Sequence, residues 1–308
     1  MRLIFMATGE IAEASFAAAI SSGHEIAGLV TQPDRPVGRK QILTAPKVKE
    51  MAHAAEIPVI QPERVGEETA LAQIREWNPE IIVVMAYGQI LPQSLIEIPA
   101  KAIINLHASL LPKYRGASCV QGPIREGDTQ TGWSVIHVVK KLDAGNVILK
   151  QELTIHPNET GGELHDRLAE VAPKALLEAL SLLENGECVG AVQDESAMTY
   201  VPKLLRDDGR IDWNDPAEQI ERLIRAYHPW PGTFAEFSGK RLKIFPQTRV
   251  GQGVGKPGAL LENEDKSLEV ACGNGSLILE AVQPEGKACM DAGSFLRGYG
   301  DQLEYGLS

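Results

Sequence analysis

The sequence predicts an α/β domain built on a parallel-rich sheet, followed by a smaller antiparallel barrel or sandwich. Three observations carry that reading. The 308 residues are enough for two domains of ordinary size. Short apolar runs alternate with helix-patterned segments through the first half, and such alternation implies crossover connections between parallel strands. Toward the C-terminus the pattern changes to short amphipathic strands separated by turn residues.

Taken in order, residues 2–6, 25–31, 81–86 and 102–106 are rich in Ile, Val and Leu without alternation, which reads as strands buried on both faces. Residues 11–22, 45–55 and 67–77 carry helical spacing, and Gly23, Pro58 and Pro79 punctuate their ends. Residues 134–139 and 147–153 read as two further strands flanking the turn Leu142-Asp143-Ala144-Gly145. A long helix is expected over 163–184, closed by Asn185-Gly186. Residues 193–203 show no period, so the domains are drawn as 1–188 and 205–308, with a linker over 189–204. In the second domain 216–226 is expected to form a short helix, with Pro216 tolerated in its first turn. Asn274-Gly275, between apolar runs at 268–272 and 276–279, predicts a hairpin whose two turn residues both take positive φ.

Composition narrows the function. Hydrophobic residues make up 44% and charged residues 23%, the values of a globular chain. The four cysteines form no CxxC pair, so neither a disulfide scaffold nor a zinc ribbon is expected, and a reducing compartment fits. The apolar start meets Gly9-Glu10 too early for a signal sequence, and no apolar stretch of about 18 residues follows. A cytoplasmic protein with no membrane partner is the expectation. No histidine shows metal-ligand spacing, so no metal is expected. The net charge of -11 argues against bulk attraction to polyanions. Two basic islands interrupt it: Arg35, Arg39, Lys40, Lys47 and Lys49 with Asp34 the one acid among them, and Lys240, Arg241, Lys243, Arg249 and Lys256 with none. Either island alone reads as a solvated surface; two in an acidic chain point toward an anionic partner.

Chemistry in an open α/β sheet is expected at the carboxyl ends of the strands. After the first strand, Met6-Ala7-Thr8-Gly9-Glu10 holds one of the three glycines of a dinucleotide fingerprint, and no P-loop sequence occurs. The most distinctive segment is 105–116, where the 102–106 strand emerges. Residues two apart in an extended chain share a side, so Asn105 and His107 project together. An amide donor and an imidazole aimed at one point suit a carbonyl that gains negative charge. A capping amide and a core histidine would produce the same pair. Asp143, in the turn between two later strands, can reach the same edge, where a carboxylate would orient the imidazole or relay a proton. Cys119 lies nearby without a paired base, and no serine is placed as a nucleophile, so direct transfer without a covalent enzyme intermediate is expected.

These segments resemble the 10-formyltetrahydrofolate-dependent formyltransferases over nearly the whole chain. Residues 31–39 are similar to an inserted basic loop of the members that act on tRNA. Residues 86–92, 105–116 and 142–145 are similar to the family's active-site segments, and 210–213 with 225–231 to its entry into the C-terminal domain. The resemblance implies a Rossmann-like formyltransferase domain followed by an OB-like, tRNA-binding β-barrel. It implies Asn105, His107 and Asp143 as the catalytic trio. Folate binding would fall to Ser109, Leu110, Leu111 and Pro112 with Tyr87, Gly88, Gln89, Ile90 and Leu91, and tRNA binding to Arg35, Arg39 and Lys40. The implied co-substrate is 10-formyltetrahydrofolate, released as tetrahydrofolate, and the acceptor is the α-amine of initiator methionyl-tRNA; a monomer is expected. A sugar-nucleotide N-formyltransferase or a 10-formyltetrahydrofolate hydrolase would share the trio, and a non-catalytic RNA-binding protein would account for the islands alone. The chain departs from the family pattern at Ala7-Thr8-Gly9, where Gly-Thr-Pro is usual, and at Asn146, where an aspartate is usual. It also has Lys40-Gln41-Ile42 where a second lysine is usual.

Overall fold

The computed structural model describes residues 1–38, 40–186, 189–262, 267–302 and 306–308. The chain divides into two compact units, Met1–Cys119 with Gln130–Thr154 and His165–Val201, and Val120–Thr129 with Ile155–Leu164 and Pro202–Ser308.

The first unit carries strands β1 (Arg2–Ala7), β2 (Glu25–Val30), β3 (Arg35–Val37), β4 (Ile42–Thr44), β5 (Val59–Ile60), β6 (Ile81–Met85), β7 (Ala102–His107), β8 (Gln130–His137) and β9 (Val147–Thr154). Seven of them form one sheet in the order β5-β2-β1-β6-β7-β8-β9. Pairing is parallel from β5 to β7 and antiparallel between β7, β8 and β9. All five residues of β6 are buried, as a run with no polar alternation requires. Helices α1 (Glu13–Ser21), α2 (Lys47–Ala54), α3 (Glu68–Glu76), α4 (Gln93–Ile96) and the larger part of α6 (Gly161–Glu184) accompany the sheet; α5 (Gln121–Glu126) belongs to the second unit. Leu71, Ile74 and Trp77 pack with Ile4, Met6, Val30 and Ile82 in one core, each aliphatic side chain there contributing roughly 1.5–3 kcal/mol. Strand order reverses between β1 and β6, so a crevice is expected beyond the carboxyl ends of those strands.

Three features differ from expectation. β8 starts at Gln130, ahead of its apolar run, because the polar residues 130–132 already pair with 152–154 of β9. The first basic island is a hairpin, β3 against β4, rather than a loop. All six of its strand residues are exposed, which leaves no buried face and hence no periodicity to read. Residues 193–203 do not form a slack spacer. Val147 and Ala191 exchange two backbone hydrogen bonds of 2.8 Å, and Arg115 bonds Thr199 O at 2.9 Å and Val201 N at 2.8 Å. Up to Val201 this segment is strapped to the first unit.

The second unit is β-rich. Its strands are β10 (Thr233–Phe237), β11 (Lys240–Ile244), β12 (Thr248–Gly251), β13 (Leu260–Leu261), β14 (Leu268–Ala271), β15 (Ser276–Leu279), β16 (Ala281–Pro284) and β17 (Met290–Asp291), with helices α7 (Ala217–Ala226) and α8 (Ala292–Tyr299). They form two four-stranded antiparallel sheets, β10-β11-β16-β17 and β12-β15-β14-β13. Ala217, Ile220 and Ile224 place one face of α7 in the core with Phe237, Leu242, Leu268, Val282 and Phe295. The β14–β15 hairpin forms as expected, with Ala271 opposite Ser276. Gly275 alone takes positive φ, however, at 74°. Asn274 stays out of the left-handed region, and its carbonyl accepts the Ala217 N–H at 2.9 Å, at the start of α7. Among the described residues, no helix is long and apolar enough to cross a membrane.

Candidate active site

Hydrogen bonds from one threonine tie the strand ends together. Thr8, straight after β1, lies 3.3 Å from Thr31 Oγ1, donates to the Tyr87 carbonyl at 3.2 Å and accepts the Gln32 N–H at 3.1 Å. Gln32 Nε2 reaches the same carbonyl at 3.1 Å. The carboxyl ends of β1, β2 and β6 are therefore joined by the threonine that the altered Ala7-Thr8-Gly9 sequence retains.

β7 delivers Asn105 and His107 to one side of the sheet. The Asn105 backbone is paired with both neighbouring strands, while none of the described residues hydrogen-bonds its half-buried amide. His107 is buried. Its Nε2 lies 2.9 Å from the Tyr114 carbonyl; a carbonyl only accepts, so Nε2 carries the proton. That leaves Nδ1 facing Asp143, with 3.7 Å between Nδ1 and Oδ2, too long for a direct hydrogen bond but close enough for strong electrostatic attraction. The Asp143 carboxylate is fixed by the Gly116 N–H at 2.9 Å. Asp143 itself sits in the left-handed region at φ 49°. Gly145 explains the close approach of this turn, since a methyl group there would run into the His137 carbonyl.

Two influences compete at His107. Burial disfavours the imidazolium, whereas the Cys119 sulfur, the Asp143 carboxylate and the Tyr114 carbonyl favour it; the second group prevails and the pKa is pushed up to about 9. The expectation that Cys119 stands apart from any base is thus not met, because the chain turns it back beside His107. Among the described residues no group of three His, Cys, Asp or Glu side chains could hold a metal.

The segments expected to hold folate divide into scaffolding and free surface. Ser109 is buried, its hydroxyl donating to the Lys113 carbonyl at 2.7 Å, and its own carbonyl accepts from Ser134 Oγ at 2.7 Å. Leu111 is buried against Ile136 and Val147. Gln89 spends its amide on Val65 N at 2.8 Å, Pro62 O at 3.1 Å and Glu63 O at 3.3 Å. Tyr87 is buried, and burial pushes its phenol pKa up. Leu91 lies against the core that holds Tyr87. Gly88, at φ 88°, is exposed, and Ile90 is 91% exposed; Leu110 and Pro112 are half-buried. The free surface along these segments is thus backbone edges and Ile90 rather than the side chains of Ser109, Leu111 or Gln89.

Of the residues expected to meet tRNA, Arg35 pairs with Glu63 at 3.1 Å. Lys40 is exposed, with no ion pair among the described residues, and Arg39 lies outside the described residues. Lys47 and Lys49 are also neutralised, by Glu50 at 2.7 Å and Asp34 at 2.9 Å. In the second island Arg241 pairs with Asp207 at 2.6 Å and lies over the Phe234 ring, and Arg249 pairs with Glu280 at 2.9 Å. Lys240, Lys243 and Lys256 carry no ion pair among the described residues. Sequence reasoning missed Arg115 and Gln193, which are both buried beside the Asp143 turn. Arg115 stands inside the 105–116 segment, but Gln193 lies in a stretch with no period to mark it.

Comparison with known sequences gives this fold a family, and the chain belongs to the formyl transferases. Residues 1–180 match the family described as Formyl transferase, and 203–300 match the Formyl transferase, C-terminal domain. Within it, the chain is similar to the methionyl-tRNA formyltransferase of Akkermansia muciniphila, 47% identical with 97% of each chain covered. The methionyl-tRNA formyltransferase of Geobacter metallireducens is 41% identical, over 100% of this chain and 98% of its own. The same fold occurs in WlaRD, a sugar 3N-formyl transferase, at TM-score 0.67 and 15% identity, covering 94% of this chain and 99% of that one. It occurs also in HypX from Aquifex aeolicus in complex with tetrahydrofolic acid, at TM-score 0.62 and 18% identity, covering 99% of this chain and 48% of that one.

Proposed function

We propose that this enzyme transfers the formyl group of 10-formyltetrahydrofolate to the α-amino group of initiator methionyl-tRNA. One observation supports this most directly: a free Asn105 amide and the His107–Asp143 pair, from segments far apart in sequence, share one strand edge. The acceptor follows from the 47% identity to a methionyl-tRNA formyltransferase along nearly the whole chain.

Folate is a substrate here, and the backbone edges at 86–91 and 109–112 fit a flat heteroaromatic ring. The amine nitrogen forms a bond to the formyl carbon as the carbonyl π electrons move onto oxygen. Asn105 donates to that oxygen, and His107, charged at neutral pH, offers the Nδ1–H that lies beside Asp143, its Nε2–H being held by Tyr114. Collapse breaks the bond from carbon to the folate N10, and the proton lost by the amine ends on N10, with Asp143 beside the path. Arg35, Arg39 and Lys40 meet the tRNA from the first domain, and the C-terminal domain adds its own lysines.

Removing one oxyanion donor costs about 2.7–4 kcal/mol, roughly 100- to 1000-fold in rate. Asn105→Ala is therefore expected to lower kcat by that range while KM for folate changes little, as measured in steady-state formyl transfer. Near-normal turnover would remove Asn105 from the chemistry and with it the reading of the site.

A further inference from the structure

The segment from 189 to 201 runs along the turn that carries Asp143, and one side chain from it is inserted behind that turn. Gln193 is 7% exposed. Its Nε2 donates to the carbonyls of Asp143 and Gly145, each at 2.8 Å. Its Oε1 accepts from Arg115 Nε at 3.1 Å and Nη2 at 2.7 Å. Both N–H groups and the oxygen of the amide are thus occupied; only a carboxamide supplies that combination, since a carboxylate only accepts and an ammonium only donates, and asparagine's is one methylene shorter.

The same segment grips the site at further points. Glu195 pairs with Arg115 at 2.8 Å and with Lys141 at 2.5 Å, and these two cations hold its carboxyl down to about 2. Asn146 donates to the Val189 carbonyl at 3.1 Å, a bond for which the aspartate usual at this position has no donor. Thr199 Oγ1 accepts the N–H of Tyr114, whose carbonyl fixes His107, at 2.8 Å. Asp143 is left-handed at φ 49°, a conformation that persists in a side-chain-bearing residue when its surroundings over-determine it.

We propose that Gln193 is a positioning residue for catalysis: by holding the Asp143 and Gly145 carbonyls it fixes the left-handed turn that presents the Asp143 carboxylate to His107 and Gly116. This rests on the reading of His107 and Asp143 as the working pair. A segment that merely tethers the chain would need neither the two carbonyl contacts nor the amide.

The test uses the full-length enzyme with Gln193→Glu, Gln193→Leu and Asp143→Asn side by side. Gln193→Glu keeps the length and the acceptor for Arg115 but turns an oxygen toward two carbonyls. It is expected to fold, to lose about 10- to 100-fold in kcat, to keep KM for both substrates, and to shift the high-pH limb of the rate downward as the carboxylate leaves His107. A drop in thermal stability alone, with kcat and the pH limb of wild type while Asp143→Asn is impaired, would overturn the positioning role and leave the catalytic reading standing. Undiminished turnover in Asp143→Asn would overturn both. If Gln193→Leu fails to fold, Gln193→Glu decides.

Discussion

His107 contributes an alkaline component to the pH behaviour of the molecule. Its pKa of about 9 in the folded chain stands above the ordinary imidazole value of about 6.5. The stability it contributes is therefore fully present below about 6.5 and is lost as pH rises through about 9. Thermal melts of wild type against His107→Asn should converge as pH rises across that window; a constant difference would contradict the assignment. The rate has a second limb, since the attacking amine must be neutral and a free α-amine titrates at about 7.7–8.0. A bell with its acid limb no higher than that value and its basic limb near 9 is expected for kcat/KM. Cys119 supplies part of the attraction that charges His107 but has no place in direct transfer. Cys119→Ala should keep neutral-pH turnover and move the basic limb down, whereas abolished turnover would favour a formyl-thioester route. The shared side of Asn105 and His107 was legible because a spacing of two in a strand fixes it. The contacts from Tyr114, Gly116 and Gln193 were not, because main-chain partners leave no mark in a sequence.

Elements buried on both sides announce themselves, and those without a buried face do not. β6 and β7 were readable from their apolar runs, and the β14–β15 hairpin from Asn274-Gly275. The β3–β4 hairpin was not, because Val37, Ile42 and Leu43 are all exposed. A two-stranded ribbon with no core behind it is marginal on its own, which suits an element that orders against a partner. Lys40→Glu at its tip should raise KM for the tRNA by up to roughly fivefold, about 1 kcal/mol, and leave KM for folate unchanged; equal effects on both would place Lys40 outside the tRNA surface. The Asp143 turn behaves oppositely, being wedged against β8. Gly145→Ala forces a methyl into the His137 carbonyl, and overpacking of this kind costs about 1–3 kcal/mol. A lower melting temperature with reduced turnover is expected, and a wild-type melt would show that the turn has room to move.

At the scale of the chain, charge decides how the proposed tRNA acceptor would be met. A net charge of -11 repels a polyanion, and ion pairs within both basic islands neutralise most of their arginines. Lys40, Lys240, Lys243 and Lys256 remain as described cations without an ion pair. If each neutralises one phosphate, the logarithm of tRNA affinity should fall with the logarithm of salt at a slope of roughly -3 to -4, which filter binding over a salt series would measure. The two-domain plan was readable from the change in strand character. The excursions Val120–Thr129 and Ile155–Leu164, which fall with the second unit, were not, because composition divides a chain only into contiguous pieces. What the whole molecule does is tested most directly by supplying 10-formyltetrahydrofolate with charged initiator tRNA, charged elongator tRNA, an amino-sugar nucleotide or no acceptor, and following the formyl group. Rapid formyl-methionyl-tRNA formation with the initiator alone is the expected result; formate release without an acceptor, or transfer to the sugar nucleotide, would contradict it.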